Sequence, residues 1–324
     1  MKKSGLLILT ALSTLALAAC SNGGADNQET DNTKKVGVLQ VVEHDSLDTA
    51  YEGFKKGLAE GGYKEGENLT IDYQNAQNNQ DNLKSMSEKL VKDQSDLVLG
   101  IGTPAAQSLA NVTQDIPIVV TAVTDLVEAK LVNSNEQPGR NVTGTTDMVP
   151  DIKKQTDLLL SVIEQPKTIG IMYNAGESNS KIQADLAQEA LEEAGVKVKT
   201  LTANTTNDVQ QVTTSLAKDV DGIYIPTDNT FASAATVIGD VAKETKTPIV
   251  AGSIEQVEGG ALATYGIDYA SLGKQTGTMA AKILDGDADP SDMPVEEADE
   301  LKLYVNKEMA QALDIDPESI KEPK

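Results

Sequence analysis

Short apolar runs rich in β-branched residues alternate with amphipathic stretches along most of the chain. The runs fall at residues 36–42, 69–73, 97–101, 116–120 and 142–145, then again at 168–173, 196–201, 222–225, 248–251 and 261–266. Runs this short, with no polar alternation, read as strands buried on both faces of a parallel sheet. Between them, residues 79–92 place Leu83, Met86, Leu90 and Val91 on one helical face. Residues 178–194 do the same with Ile182, Leu186, Ala190, Leu191 and Ala194, and Gly195 supplies a stop. Strand–helix alternation throughout predicts the α/β class with right-handed crossovers.

Ten strands are many for one sheet, and the two series of five predict two doubly wound α/β lobes. The break falls at 146–150, where Pro150 and Asp151 open a new helix. Beyond residue 266 come a helix at 271–285, an acidic loop at 287–300, a strand at 301–305 and a helix at 307–313. These extra elements predict that the chain crosses between the lobes three times, a three-segment hinge. Lobe 1 is then 35–145 plus 269–298, and lobe 2 is 146–268 plus 299–324.

Composition narrows the chemistry. With 27 basic and 50 acidic side chains the formal charge is −23, which excludes a surface built to neutralise nucleic-acid phosphates or anionic lipid. One cysteine (Cys20) and one histidine (His44) rule out an intrachain disulfide and a four-ligand Cys/His zinc site. There is no G-x-S-x-G, no H-E-x-x-H and no G-x-x-x-x-G-K-[ST]. The reading is a non-enzymatic protein with no catalytic residue, no metal and no cofactor. An enzyme built around His44 is the distant alternative.

The N-terminus sets a compartment. Met1-Lys2-Lys3 precedes an apolar run at 6–19, shorter than the roughly 20 residues of a spanning helix. Leu17-Ala18-Ala19-Cys20 resembles the lipobox of bacterial lipoproteins. The resemblance implies a signal peptide over 1–19, cleavage before Cys20, and acylation of that residue. Residues 20–34 are then the acylated cysteine and a flexible tether, holding a folded body on the outer face of the bacterial cell membrane.

In open α/β sheets ligands bind beyond the C-terminal strand ends. Two facing lobes make a cleft there. The candidates are Glu43 and Leu47 after the first strand; Thr103 and Pro104 after the third; Thr121 and Ala122 after the fourth. In the second lobe they are Asn174, Ser178, Asp228, Asn229, Tyr265 and Asp268. Residues 100–105 fit G-x-G-x-x-A, but they follow the third strand, and a helix N-terminus is the better reading. Thr103 as N-cap and Pro104 at the first helical position would leave free N–H groups for an anion. Asp228 either caps a helix or faces the cleft as a partner for a cation. Together these features describe a receptor for a zwitterion, as a free amino acid is.

Several segments carry a family resemblance: Val41-Val42-Glu43-His44 with Leu47-Asp48; Ile101-Gly102-Thr103-Pro104-Ala105-Ala106; Thr121-Ala122-Val123-Thr124-Asp125; Tyr224-Ile225-Pro226-Thr227-Asp228-Asn229; and Ala263-Thr264-Tyr265-Gly266-Ile267-Asp268-Tyr269. They resemble the substrate-binding lipoproteins of ABC importers, tryptophan/tyrosine type. The resemblance implies a periplasmic-binding-protein fold, type I-like, that works as a monomer, closes on its ligand and docks on a permease–ATPase pair. It further implies Thr103 and the amides after it, near Thr121 and Ala122, at the ligand carboxylate. Asp228 and Asn229 would meet the ammonium, Leu47 and Glu43 would wall the side chain, and Tyr265 and Asp268 would stand at the hinge. Aromatic residues are only 3% of the chain, with two Phe and no Trp. That disfavours ring-stacked sugars, and it leaves aliphatic contacts to hold an aromatic amino acid. A sugar or nucleoside receptor, or a ligand-sensing signalling partner, is the alternative.

Overall fold

Two sheets of the same winding organise the molecule. The computed structural model describes residues 33–299 and 301–323. The signal peptide, Cys20 and most of the tether read from the sequence lie outside them. The first sheet contains β1 (Lys34–Gln40), β2 (Leu69–Asn75), β3 (Leu97–Ile101), β4 (Ile118–Val123) and β5 (Val142–Thr146). All are parallel, in the order β2-β1-β3-β4-β5. The second contains β6 (Thr168–Tyr173), β7 (Lys197–Thr202), β8 (Gly222–Ile225), β9 (Ile249–Ala251), β10 (Ala263–Ile267) and β11 (Leu301–Val305). It repeats the same order, β7-β6-β8-β9-β10, and adds β11 antiparallel at the edge. Strand β1 begins at Lys34, so the tether expected to run through residue 34 ends before it. Strand β5 keeps Thr146 in the first sheet, one residue past the expected break.

Central strands are apolar because helices cover both faces. Every residue of β3 and β4 is buried. The covering helices of the first sheet are α1 (Asp45–Glu60), α2 (Gln80–Lys92) and α3 (Thr103–Val112). Those that follow β5 are α4 (Ile152–Ser161), α5 (Ser178–Glu193), α6 (Thr206–Ala217), α7 (Asn229–Ala232), α8 (Ala235–Thr245) and α9 (Ile254–Gly259). Two more are α10 (Tyr269–Asp285) and α11 (Lys307–Ala312). Helix starts carry caps: Asn79 Oδ1 accepts from Asn82 N at 3.0 Å, and Ser253 and Gln256 form a reciprocal capping box.

Between β5 and α4, between β10 and α10, and again before β11, the chain passes from one sheet to the other. Helix α10 returns to the first lobe and lies against α1 with almost no space between backbones. A methyl carbon added to Gly273 would fall 1.9 Å from the Ala50 carbonyl oxygen, and one on Gly277 would fall 2.2 Å from that of Phe54. On the other helix, a carbon on Gly53 would meet the Ala270 oxygen at 2.2 Å, and one on Gly57 the Lys274 oxygen at 2.3 Å. Glycine is required here for contact rather than for backbone freedom. The four-residue spacing puts all of them on one seam.

Candidate functional site

The C-terminal strand ends of the two sheets face each other across an enclosed polar space. Its lining comes from both lobes and from two of the crossings. Helix α1 contributes its cap His44, then Ser46 and Leu47. Strand β4 contributes Ala122, and the first crossing Asp147. Lobe 2 adds Asn179, Thr227, Asp228, Asn229, Ser253 and Gln256, and Tyr269 enters at the start of α10. The space amounts to about 300 Å³ between atoms, of which only about 20 Å³ admits the centre of a water molecule. A larger open depression, about 1080 Å³ by the same measure, runs along α1, α9 and α10, but its rim is acidic and solvated.

The lobes are bonded directly across this space. His44 Nε2 lies 3.3 Å from Asn229 Oδ1, and Ser46 Oγ lies 3.1 Å from Ser253 Oγ. Asn78 Nδ2 donates to Thr230 Oγ1 at 3.3 Å, and Gln183 Nε2 to Thr124 Oγ1 at 3.1 Å. This is a closed arrangement.

Three buried carboxylates define the electrostatics. Asp228 does both things the sequence leaves open: it lines the space and caps α7. Its Oδ1 accepts from Phe231 N at 2.8 Å, and Oδ2 from Asn174 N at 2.6 Å. Burial raises its pKa, the Glu177 carboxylate adds to the rise, and the two backbone donors oppose it. Glu177 is 4% exposed and takes the backbone N–H groups of Asn229 and Thr230 at 3.1 and 3.2 Å. Asp147 accepts from Thr124 Oγ1 at 2.8 Å and from the Tyr269 hydroxyl at 2.6 Å. Burial raises its pKa against those donors. Each Asp147 oxygen keeps a lone pair for a further donor.

Helix α1 supplies the opposite polarity. His44 makes no side-chain cap bond, so the first-turn N–H groups of this helix lack a side-chain acceptor. Those groups and the partial positive charge of the helix end lie beside the space. Burial lowers the pKa of His44 to about 4, outweighing its bond to Asn229 and the nearby Asp45, so the ring is neutral at physiological pH.

At the edge of the site, Glu255 is 8% exposed, and its Oε2 has no partner. Burial pushes its pKa from 4.5 up to about 7. Its protonated form therefore adds stability that is full below pH 4.5 and is lost as pH rises through about 7. The melting temperature of Glu255→Gln is expected to fall less than that of wild type between pH 5.5 and 8, a differential of order 2 kcal/mol. Equal slopes for the two proteins would refute this.

Among the predicted site residues, Leu47, Ala122, Asp228 and Asn229 come together in the enclosed space. Ala122 reaches it through a bulge in β4, with a left-handed φ of 55°. Thr121 is wholly buried one residue earlier, where its hydroxyl accepts from Thr145. Asn174 is buried behind Asp228 as one of its donors. Glu43 and Ser178 are exposed. Tyr265 is half-buried, with the Lys154 ammonium 5.5 Å from its ring centre. Asp268 caps α10 and pairs with Lys302 at 2.9 Å on the hinge.

The start of α3 differs from the expectation by one residue. Gly102 is the N-cap, with φ 89°, so Thr103 is the first helical residue and Pro104 the second. Only glycine holds that φ without strain, and a carbon placed on it would come within 3.8 Å of Asn229 Oδ1. The end of α3 thus lies behind Asn229, whereas the start of α1 lines the space. His44, Ser46, Asp147, Glu177 and Asn179 follow strand ends, where the strand-end rule points, but were not singled out as ligand partners; Tyr269 lies outside those positions. A signal existed for Asp147 and Tyr269: both sit where the chain leaves one predicted lobe for the other.

Two α/β lobes, joined by three crossings and closed over a buried polar site, define a solute receptor of the periplasmic-binding-protein kind. Residues 35–322 match the family of ABC transporter substrate binding proteins, and the chain belongs to that family. The family consists of solute-binding proteins, not enzymes, and these work outside the cytoplasm. A tyrosine-binding protein of Clostridioides difficile is 41% identical over 96% of this chain and 91% of its own length. A solved ABC domain from Streptococcus pneumonia in complex with L-Trp is 40% identical, covering 90% of this chain and 98% of its own, with a TM-score of 0.84. A ligand-free, open substrate-binding protein of Clostridium difficile is 43% identical over 90% and 98%, yet its TM-score is 0.68. At nearly equal identity, this chain superposes better on the L-Trp complex than on the open, ligand-free structure. Among the described residues no helix is long and apolar enough to cross a membrane, and no cluster of three or more His, Cys, Asp or Glu is placed to hold a metal ion.

Proposed function

We propose that this protein binds a free aromatic amino acid between its lobes and delivers it to the permease of an ABC importer. The observation that carries the reading is the pairing of an α1 end without a side-chain cap on one wall with the buried carboxylates Asp147 and Asp228 on the other. The helix end suits an α-carboxylate, the aspartates suit an α-ammonium, and a zwitterion needs both. Leu47, Ala122 and Ala232 supply the apolar wall. The ligands in the names of the 40–41% identical relatives, tyrosine and L-Trp, support the aromatic side chain.

Contacts from both lobes favour the closed state, and that differential affinity drives closure. The space here is tighter than an aromatic amino acid needs, so the ligand enters with the lobes apart, and the liganded cleft is somewhat wider. At the N-terminus, Cys20 carries the lipid anchor and residues 21–33 the tether.

A melting-temperature screen of amino acids, sugars and nucleosides tests the ligand class. L-Tyr or L-Trp is expected to raise the transition by several degrees at millimolar concentration, while sugars leave it unchanged. A sugar or nucleoside that stabilises where no amino acid does would overturn the reading. In the same preparations, Cys20→Ser should move the protein from the membrane fraction to the soluble one; retention on the membrane would refute the anchor.

A further inference from the structure

His44 ends in a hydrogen-bonding state fixed by its neighbours. The Glu177 carboxylate accepts from Asn229 Nδ2 at 2.5 Å, and also from Asn229 N, Thr230 N and the Thr230 hydroxyl. Asn229 must therefore turn its Oδ1 toward His44. An oxygen at 3.3 Å requires the hydrogen on His44 Nε2, which leaves Nδ1 as a bare acceptor. That nitrogen is buried and has no partner, although the ring occupies the N-cap position of α1. A buried acceptor without a donor is costly, and this ring lines the ligand space.

The ligand's ammonium has stronger partners. Asp147 and Asp228 offer carboxylates, and Asn179 Oδ1, the other acceptor without a partner among the side chains lining the space, belongs to a side chain that donates to Thr227 O, next to Asp228. A neutral imidazole on the opposite lobe competes poorly for a cation and is left for another donor.

Resting on the amino-acid reading above, we propose that His44 Nδ1 accepts a hydrogen bond from an O–H or N–H on the ligand's side chain, so that the receptor selects tyrosine and tryptophan over phenylalanine. A site built to bond a ligand donor rejects the analogue lacking it, because its own polar atom is then unpaired.

The chain has one histidine, so ¹⁵N-histidine labelling of the protein gives a single imidazole to follow. The free protein should show the proton on Nε2. Adding L-Tyr should move the Nδ1 resonance upfield as it accepts a hydrogen bond, and L-Phe should leave it in place. Calorimetry should show L-Phe binding roughly 10- to 100-fold more weakly than L-Tyr. His44→Phe should abolish that preference while L-Phe still binds. A proton on Nδ1 in the free protein, an equal Nδ1 shift with L-Phe, or equal affinities for the two ligands would overturn the proposal. Binding of no amino acid at all would overturn the amino-acid reading, and this proposal with it.

Discussion

Asp228→Asn is expected to weaken binding of L-Tyr or L-Trp by about 2–5 kcal/mol, some thirtyfold or more, with a smaller loss of stability in the unliganded fold. The substitution keeps the shape and an oxygen for the Phe231 N–H, but it removes the charge an ammonium needs and turns an NH2 toward the Asn174 N–H. Removing the charge offsets part of that lost bond, because burial and the Glu177 carboxylate both disfavour ionised Asp228. Asp228→Ala behaves differently. It leaves the Asn174 and Phe231 N–H groups without their acceptor, adding a folding loss of about 0.5–2 kcal/mol at the cap alone. Calorimetry on both variants, beside thermal melts without ligand, separates the two effects. Wild-type affinity in Asp228→Asn would place the ammonium elsewhere, with Asp147 as the next residue to test.

The second large effect is structural. Gly273→Ala should cost about 3 kcal/mol of stability, because its new methyl group would lie 1.9 Å from the Ala50 carbonyl oxygen. Backbone cannot rotate away as a side chain can, so α1 and α10 must separate. Their separation also displaces His44, Ser46 and Leu47, which stand at the start of α1. The melting temperature should therefore fall by roughly 5–10 °C, and ligand affinity should fall with it. A variant that melts as wild type would show that the two helices slide freely.

The alternating pattern was sufficient for the architecture. Runs of Val, Ile and Leu mark the strands because both faces of each sheet are covered, and their division into two series of five follows the repeated winding. The strand expected at 116–120 runs instead over Ile118–Val123. Polar Thr121 looks like an end, but the strand continues through the bulge that puts Ala122 into the cleft. Helix α1 follows from the strand–helix alternation, but no apolar face marks it out. Its apolar positions are separated by Gly53 and Gly57, residues unfavourable in an isolated helix and required only once α10 lies against them.

Part of the site was legible for the same reason. The rule that ligands gather at strand ends leads to Leu47, Asp228 and Asn229. It does not say which side chain of a loop turns inward, so Thr103 and Asn174 were candidates beside residues that line the space. Asn179 and Gln256 stand in the first turns of α5 and α9, just past strand ends, where the rule points without choosing between neighbours. Asp147 and Tyr269 are far apart in sequence and meet through a bond that only the three-dimensional crossing creates.

That bond has a mechanical consequence. Asp147 lies on the first crossing and Tyr269 just past the second, so their 2.6 Å contact sits close to the axis about which the lobes turn. Points near a pivot move little while distant ones sweep far. A ligand seated against Asp147 therefore works on a short arm, and a fraction of an ångström in its bulk becomes a displacement several times larger at the outer lips. On the proposed reading, a permease meeting those lips would receive a magnified copy of the fit inside.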